Sequence, residues 1–298
     1  MAKYLTTFIL TLVSVFHFAR ATNYFTTSNG DSDDPTVWTP SLPNPNIGIG
    51  DTLFVSHDIE LKDNFNISGA LVINGNGYFF GGKTITINAS GYLLNNGEID
   101  VTKKVENSGK FINNGIFYTK KEFINSSTGS LENSGSFTAK DEIENSGTIN
   151  NSNSLITEDS FFNLTGSTLT NTGNITVEKD FENYSSVTNS GTINIEGELI
   201  NEADAIIQSN GNINVDDDIT NEGTIQNSGN ISTDGDFDNV SLLQNSGSVT
   251  VTDEYHNDGQ TLNSGSINAD NVHDDGYTCN SGSISVDQGQ EYNCHSCT

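Results

Sequence analysis

Beyond position 20 this chain contains no arginine, and its 11 basic residues stand against 39 Asp and Glu, a net charge of −28. Arginine is the usual bidentate reader of phosphate and carboxylate. Its absence from so acidic a chain argues against nucleic acid, nucleotides and acidic polysaccharide as ligands. Prolines number four, cysteines three and tryptophan one, and hydrophobic residues make up only 33%. A chain this polar forms a packed core only if its apolar residues recur with strict periodicity. Long hydrophobic runs are missing past the N-terminus, so no later segment reads as a membrane span.

The N-terminus reads MAKYLTTFILTLVSVFHFARA. A lysine, an apolar run from Tyr4 to Phe18 and an A-x-A end predict a secretory signal at residues 1–21, cleaved after Ala21. The mature chain then carries nine lysines, 39 acids and a charge of −30.

What is present is asparagine in register. Asn95, Asn113, Asn133, Asn151, Asn171, Asn189, Ser209, Asn227, Asn245, Asn263 and Asn280 are 17–20 residues apart, mostly in steps of 18 or 20. Twelve residues after each stands a second column, from Asn107 and Asn125 through Asn239 and Asn257 to Asp275. Apolar residues keep the same register two positions before the first Asn (Leu169, Val187, Ile207) and four, six and ten after it (Ile175, Val177, Phe181). Alternation with polar neighbours is strand periodicity. One such repeat cannot bury a core alone; stacked repeats can. The pattern predicts an all-β, single-stranded parallel β-helix of about 11 regular coils, with irregular N-terminal coils. Right-handed winding is expected from the usual crossover rule. Inward Asn side chains should bond one another along the axis, as in cross-β ladders. The glycines that follow, such as Gly97, Gly191 and Gly247, are expected to supply left-handed backbone at corners.

All four prolines and Trp38 fall in residues 22–52, predicting an N-terminal cap that protects the solenoid's open edge. Residues 53–298 form the solenoid, with 53–90 expected as two less regular coils. Within DDPTVWTP and LPNPNIGIGDTLFVSHDIEL, the residues Trp38, Gly50, Asp51 and His57 stand out. This stretch resembles the opening of secreted bacterial surface β-helix proteins of the Bacteroidota type, akin to G8-like modules. The N-S-G-x-I repeats are similar to adhesin-like solenoids. The resemblance implies an adhesive role at a cell surface.

Acidic residues recur seven to nine positions after each first Asn: Glu178 and Asp180, Glu196 and Glu198, Asp216 and Asp218, Asp234 and Asp236, then Asp253-Glu254 and Asp270. Stacked, they predict a carboxylate stripe along one edge, either a row of weak Ca²⁺ sites or a solvated edge that resists lateral strand pairing. No other cofactor is expected. Lys103-Lys104, Lys120-Lys121 and Lys140 hold the same corner in earlier coils. Cys297 follows Cys279 by one 18-residue step, so a Cys279–Cys297 disulfide is expected between coils. The histidines His57, His256, His273 and His295 read as scattered, with no metal-ligand pair, and the acids fill repeating corners rather than one cleft. Catalysis therefore lacks a constellation. Nine N-x-S/T sequons occur past the signal, but four of them (Asn125, Asn163, Asn183, Asn239) occupy the inward column, where no glycan can attach. The expected function is a secreted structural or adhesive solenoid contacting an extracellular glycan or surface protein. Carbohydrate binding or polysaccharide degradation is the second reading. Ice binding is a third, weakened by the mixed outward file Tyr118, Thr138, Ile156, Thr176 and Asn194.

Overall fold

A computed structural model describes residues 21–42, 46–287 and 294–295; the predicted signal lies outside them but for Ala21. The chain winds as an all-β parallel solenoid of about 13 turns. Each regular coil carries three strands, as in Lys110–Asn113, Ile116–Thr119 and Phe123–Asn125. Here they are called faces one, two and three. Strands of one face pair in parallel with the same face of the coils before and after. Leu169 lies beside Val187 and Val187 beside Ile207; Ile225 sits between Ile207 and Leu243.

Alternation places every second residue inside, and the predicted apolar columns are buried up to Ile267 and Ala269, while Ile284 and Val286 in the last coil are only partly buried. Isolated, a coil would expose these side chains. Stacking removes them from water, at about 1.5–3 kcal/mol for each large aliphatic or aromatic group. Volumes compensate along face two. Phe117 shares its strand with Thr119 and Phe137 with Ala139, whereas Ile99 shares its strand with Val101. The two phenylalanines stack at 4.3 Å between ring centroids.

Residues 53–90 form three-strand coils that are less regular than the rest, since the second runs 22 residues with an extra pair at the corner between Ala70–Ile73 and Tyr78–Gly81. They differ at the ladder positions, where Val55 and Ile73 precede Asn95, and Ile67 and Ile87 precede Asn107. Within 22–52, Asn23–Thr26 already pairs in parallel with Thr52–Val55. Trp38–Thr39 then runs antiparallel across it. Trp38 is buried, and its indole N–H donates to Ser32 O at 3.2 Å.

The two Asn columns form the expected ladders. Across their Asn–Asn rungs, Nδ2 donates to Oδ1 of the next coil at 2.7–2.9 Å, always in the C-terminal direction. Ser209 weakens the first column, its Oγ lying 3.3 Å from Asn189 Nδ2. The second column ends on Asp274, not Asp275: Asn257 Nδ2 donates to Asp274 Oδ1 at 2.7 Å. The cause is a one-residue register shift after Val251, where faces two and three merge into the long strands Ser248–Asn257 and Ser266–Asp274. Asp253, Glu254 and Asp270 therefore lie within strands rather than at a corner. Asn125, Asn163, Asn183 and Asn239 are buried rungs, closed to glycosylation in the folded chain.

The corner glycines are not left-handed. Positive φ occurs at Gly50, Gly81, Gly166 and Asp204, of which Gly166 and Asp204 sit in the two-residue insertions that lengthen some coils. Close approach explains the corner glycines instead. A Cβ on Gly191 would lie 2.0 Å from Gly173 O, and one on Gly247 2.0 Å from Gly229 O.

Candidate functional site

Between faces one and two, the buried ladder Asn draws the chain inward. The residue before it and the residue after it remain outside, flanking a furrow. Stacked over successive coils, the furrow becomes an axial groove. Its C-terminal stretch encloses about 960 Å³. Thr188, Gln208, Gln226, Gln244 and Leu262 form one wall, and the corner residues Ser190, Asn210, Ser228, Ser246 and Ser264 the other. The N-terminal stretch is smaller, about 260 Å³, and includes Glu132.

No residue lining the larger stretch carries a charge, in a chain of net charge −28. Gln208 Nε2 donates to Gln226 Oε1 at 2.9 Å. The serine hydroxyls of Ser190, Ser246 and Ser264 reach backbone carbonyls of the preceding coil only at 3.3–3.4 Å. Such long bonds are weak, so these groups keep donors and acceptors for a ligand. The walls thus present a periodic neutral hydrogen-bonding surface with apolar patches at Leu262 and the glutamine stems. Periodicity in the outward positions was legible in the sequence. The concavity was not, because it comes from the inward pull of the neighbouring Asn.

The acidic stripe follows the corner between faces two and three. Several of its members serve the backbone. Asp180 Oδ1 accepts the Glu198 N–H at 3.0 Å, Asp218 Oδ1 that of Asp236 at 2.8 Å, and Asp236 Oδ1 that of Glu254 at 2.9 Å. For the first two the strand ladder is interrupted at a corner, and the carboxylate satisfies the N–H group it leaves; the third lies at the register shift after Val251. Glu178, Glu196, Asp216 and Asp234 are exposed. In the earlier coils lysines bridge the stack: Lys121 to Asp141 at 2.8 Å, Lys140 to Glu158 at 2.6 Å and Lys179 to Asp159 at 2.8 Å. After Lys179 there is no further lysine and 21 carboxylates follow. Surface pairs of this kind contribute at most about 1 kcal/mol each.

This edge sets a pH dependence. Partial burial, then the carboxylate of Glu144, raises Glu142 above its ordinary 4.5. Partial burial, then Asp180 and Asp217, raises Glu198 likewise. A carboxyl raised on folding adds stability fully present below about 4.5 and lost as pH rises through its folded value. The Lys179 ammonium holds Asp159 below 3.8, so its contribution is present above that value and lost as pH falls through the lowered one. Thermal melting at low ionic strength should therefore rise from neutral pH to a maximum near pH 4–5 and fall below it. Added salt should raise the neutral value by screening the stripe. A melting temperature that falls steadily from pH 7 to 4.5 contradicts this.

Among the described residues, one group of three side chains brings candidate metal-ligand atoms within 4.8 Å of one another: His256, His273 and Asp275. His256 and His273 are therefore not scattered. They are lateral neighbours on face three, with ring centroids 5.0 Å apart. Their 17-residue separation, equal to the Asn263–Asn280 step, was the available signal. Cys279 is disulfide-bonded; the expected partner Cys297 lies outside the described residues. No described helix is long and apolar enough to cross a membrane.

A family model described as haemagglutinin repeat matches residues 49–135, 95–179 and 182–271. No curated protein and no solved structure matches the chain.

Proposed function

Since the chain belongs to the haemagglutinin-repeat family, we propose that it is an extracellular adhesive solenoid whose axial groove binds a neutral glycan. Haemagglutinin repeats on a β-solenoid fit an adhesive, surface-interacting role. The observation that carries the finer reading is the uncharged lining of the 960 Å³ groove. Neutral sugars offer hydroxyls that both donate and accept, matched by glutamine amides and serine hydroxyls. They also offer C–H faces that pack on Leu262 and the glutamine stems. Coils repeat at about 4.8 Å, close to the length of one pyranose. Six coils therefore accommodate a chain of about five sugars, with glutamine and serine contacts recurring at the central steps. Single contacts are worth about 1 kcal/mol, so repetition along the groove supplies useful affinity.

The chemistry proposed is binding without turnover. Acidic glycans are disfavoured by the chain's net charge of −28. The test is a glycan array followed by calorimetry, comparing the native chain with Gln226→Glu and with Gln226→Ala/Gln244→Ala. Neutral oligosaccharides should bind, and both variants should lose most of that affinity while melting normally. Equal binding by all three proteins removes the groove from the interaction. Ca²⁺ bridging of Glu178, Glu196, Asp216 and Asp234 between coils is a separate proposal for the acidic edge. Millimolar Ca²⁺ raising the melting temperature at low salt supports it, and unchanged melting rejects it.

A further inference from the structure

Near the C-terminal end of face three the sequence carries His-x-Asp twice, as His256-Asn257-Asp258 and His273-Asp274-Asp275. The solenoid stacks the two copies. His256 pairs laterally with His273, and Asp238 of the preceding coil pairs with His256. The middle residues Asn257 and Asp274 point inward and form the last rung of the second ladder. Their neighbours therefore point outward on a backbone fixed by strand pairing. His256 Nδ1 lies 3.3 Å from Asp238 Oδ1, and its Nε2 3.3 Å from Asp258 Oδ1. His273 Nε2 lies 3.1 Å from Asp275 Oδ2.

We propose that His256, His273 and Asp275 bind a divalent transition-metal ion of the zinc class, with Asp258 available as a fourth ligand. Two imidazoles and one or two carboxylates suit Zn²⁺ and its neighbours rather than Ca²⁺ or Mg²⁺, which prefer all-oxygen shells. In a tetrahedral zinc site with bonds of about 2.0–2.1 Å, ligand atoms stand about 3.4 Å apart. Here the three candidate atoms already lie within 4.8 Å. The side chains are half-buried or exposed, so small rotamer changes close the remaining gap without moving the backbone. Asp238 and Glu254 complete a negative surround that favours a cation. The site is independent of the glycan groove, which lies at the opposite edge of face one's strands and shares none of these residues.

A metal ligand imidazole must be deprotonated. Protons therefore compete with the metal below neutrality, and affinity falls there.

The experiment is titration of the full chain with ZnCl₂ near neutral pH, followed by calorimetry and by the imidazole resonances in NMR. The native chain should bind about one Zn²⁺ with both histidine resonances shifted, and CaCl₂ should shift neither. His256→Gln/His273→Gln should weaken that binding by at least about tenfold. Its melting without metal should match the native chain, because both side chains reach solvent. Asp275→Asn should weaken binding less. Binding of equal affinity in the double variant assigns the metal elsewhere and overturns the proposal. So does an absence of imidazole shifts at millimolar Zn²⁺.

Discussion

Replacing Asn171 by valine is expected to destabilise the solenoid by about 3 kcal/mol or more. Its Oδ1 accepts from Asn151 Nδ2 at 2.8 Å and from the Gly173 N–H at 3.2 Å. Its Nδ2 donates to Asn189 Oδ1 at 2.9 Å, to Thr192 O at 3.0 Å and to Gly173 O at 3.1 Å. The two amide rungs are fully buried and the backbone partners partly so, and water replaces a lost partner poorly there. Each buried group left unpaired costs about 1–3 kcal/mol, which outweighs the about 1–2 kcal/mol gained from the valine methyls. The N-terminal coils show the contrast. Val55 and Ile73 fill the same position as adjacent apolar neighbours, so between those two coils no amide lacks a rung. Asn95, with Ile73 on one side, should accordingly tolerate valine better than Asn171. Urea unfolding of both variants checks this. Equal costs, or a cost below about 1 kcal/mol at Asn171, would show that the ladder is incidental to stability.

The second large effect is expected at the glycine corner. Gly191→Ala places a Cβ 2.0 Å from Gly173 O and 2.8 Å from the Thr172 carbonyl carbon. Both are backbone atoms held by strand pairing, so the coils must separate, at about 1–3 kcal/mol. One coil shows what that separation looks like. Asn153 occupies the equivalent corner, and there Ser154 N reaches Gly135 O only at 3.3 Å, whereas Ser136 N reaches Gly115 O at 2.9 Å. On its other side Asn174 N closes on Asn153 O at 2.6 Å. Asn153→Gly should therefore raise stability. Relief of crowding exceeds the about 0.5–1 kcal/mol of extra chain entropy that glycine loses on folding. Melting temperatures should move in opposite directions for the two variants. A neutral Gly191→Ala would mean that the corner yields freely.

The parallel solenoid was legible because one coil is one repeat. Side chains at equal offsets must become neighbours, so Leu169, Val187 and Ile207 could be aligned by counting. The same counting found both Asn ladders. It failed wherever a local event broke the count, as at the shift after Val251 that puts Asp274 in the last rung. Composition also misled about the corner glycines. Glycine permits both left-handed backbone and close approach, and sequence cannot tell which freedom is being used.

Sequence alone therefore determined the inward columns, the parallel stacking and the acidity of one edge, since each follows from periodicity in a chain too polar to form a core otherwise. Tertiary structure alone decided what the outward residues form together. The groove walled by Gln226 and Ser246, and the meeting of His256 with His273 and Asp275, depend on how sharply each corner bends and where the count slips. Those are set by backbone contacts between coils, which no single repeat contains.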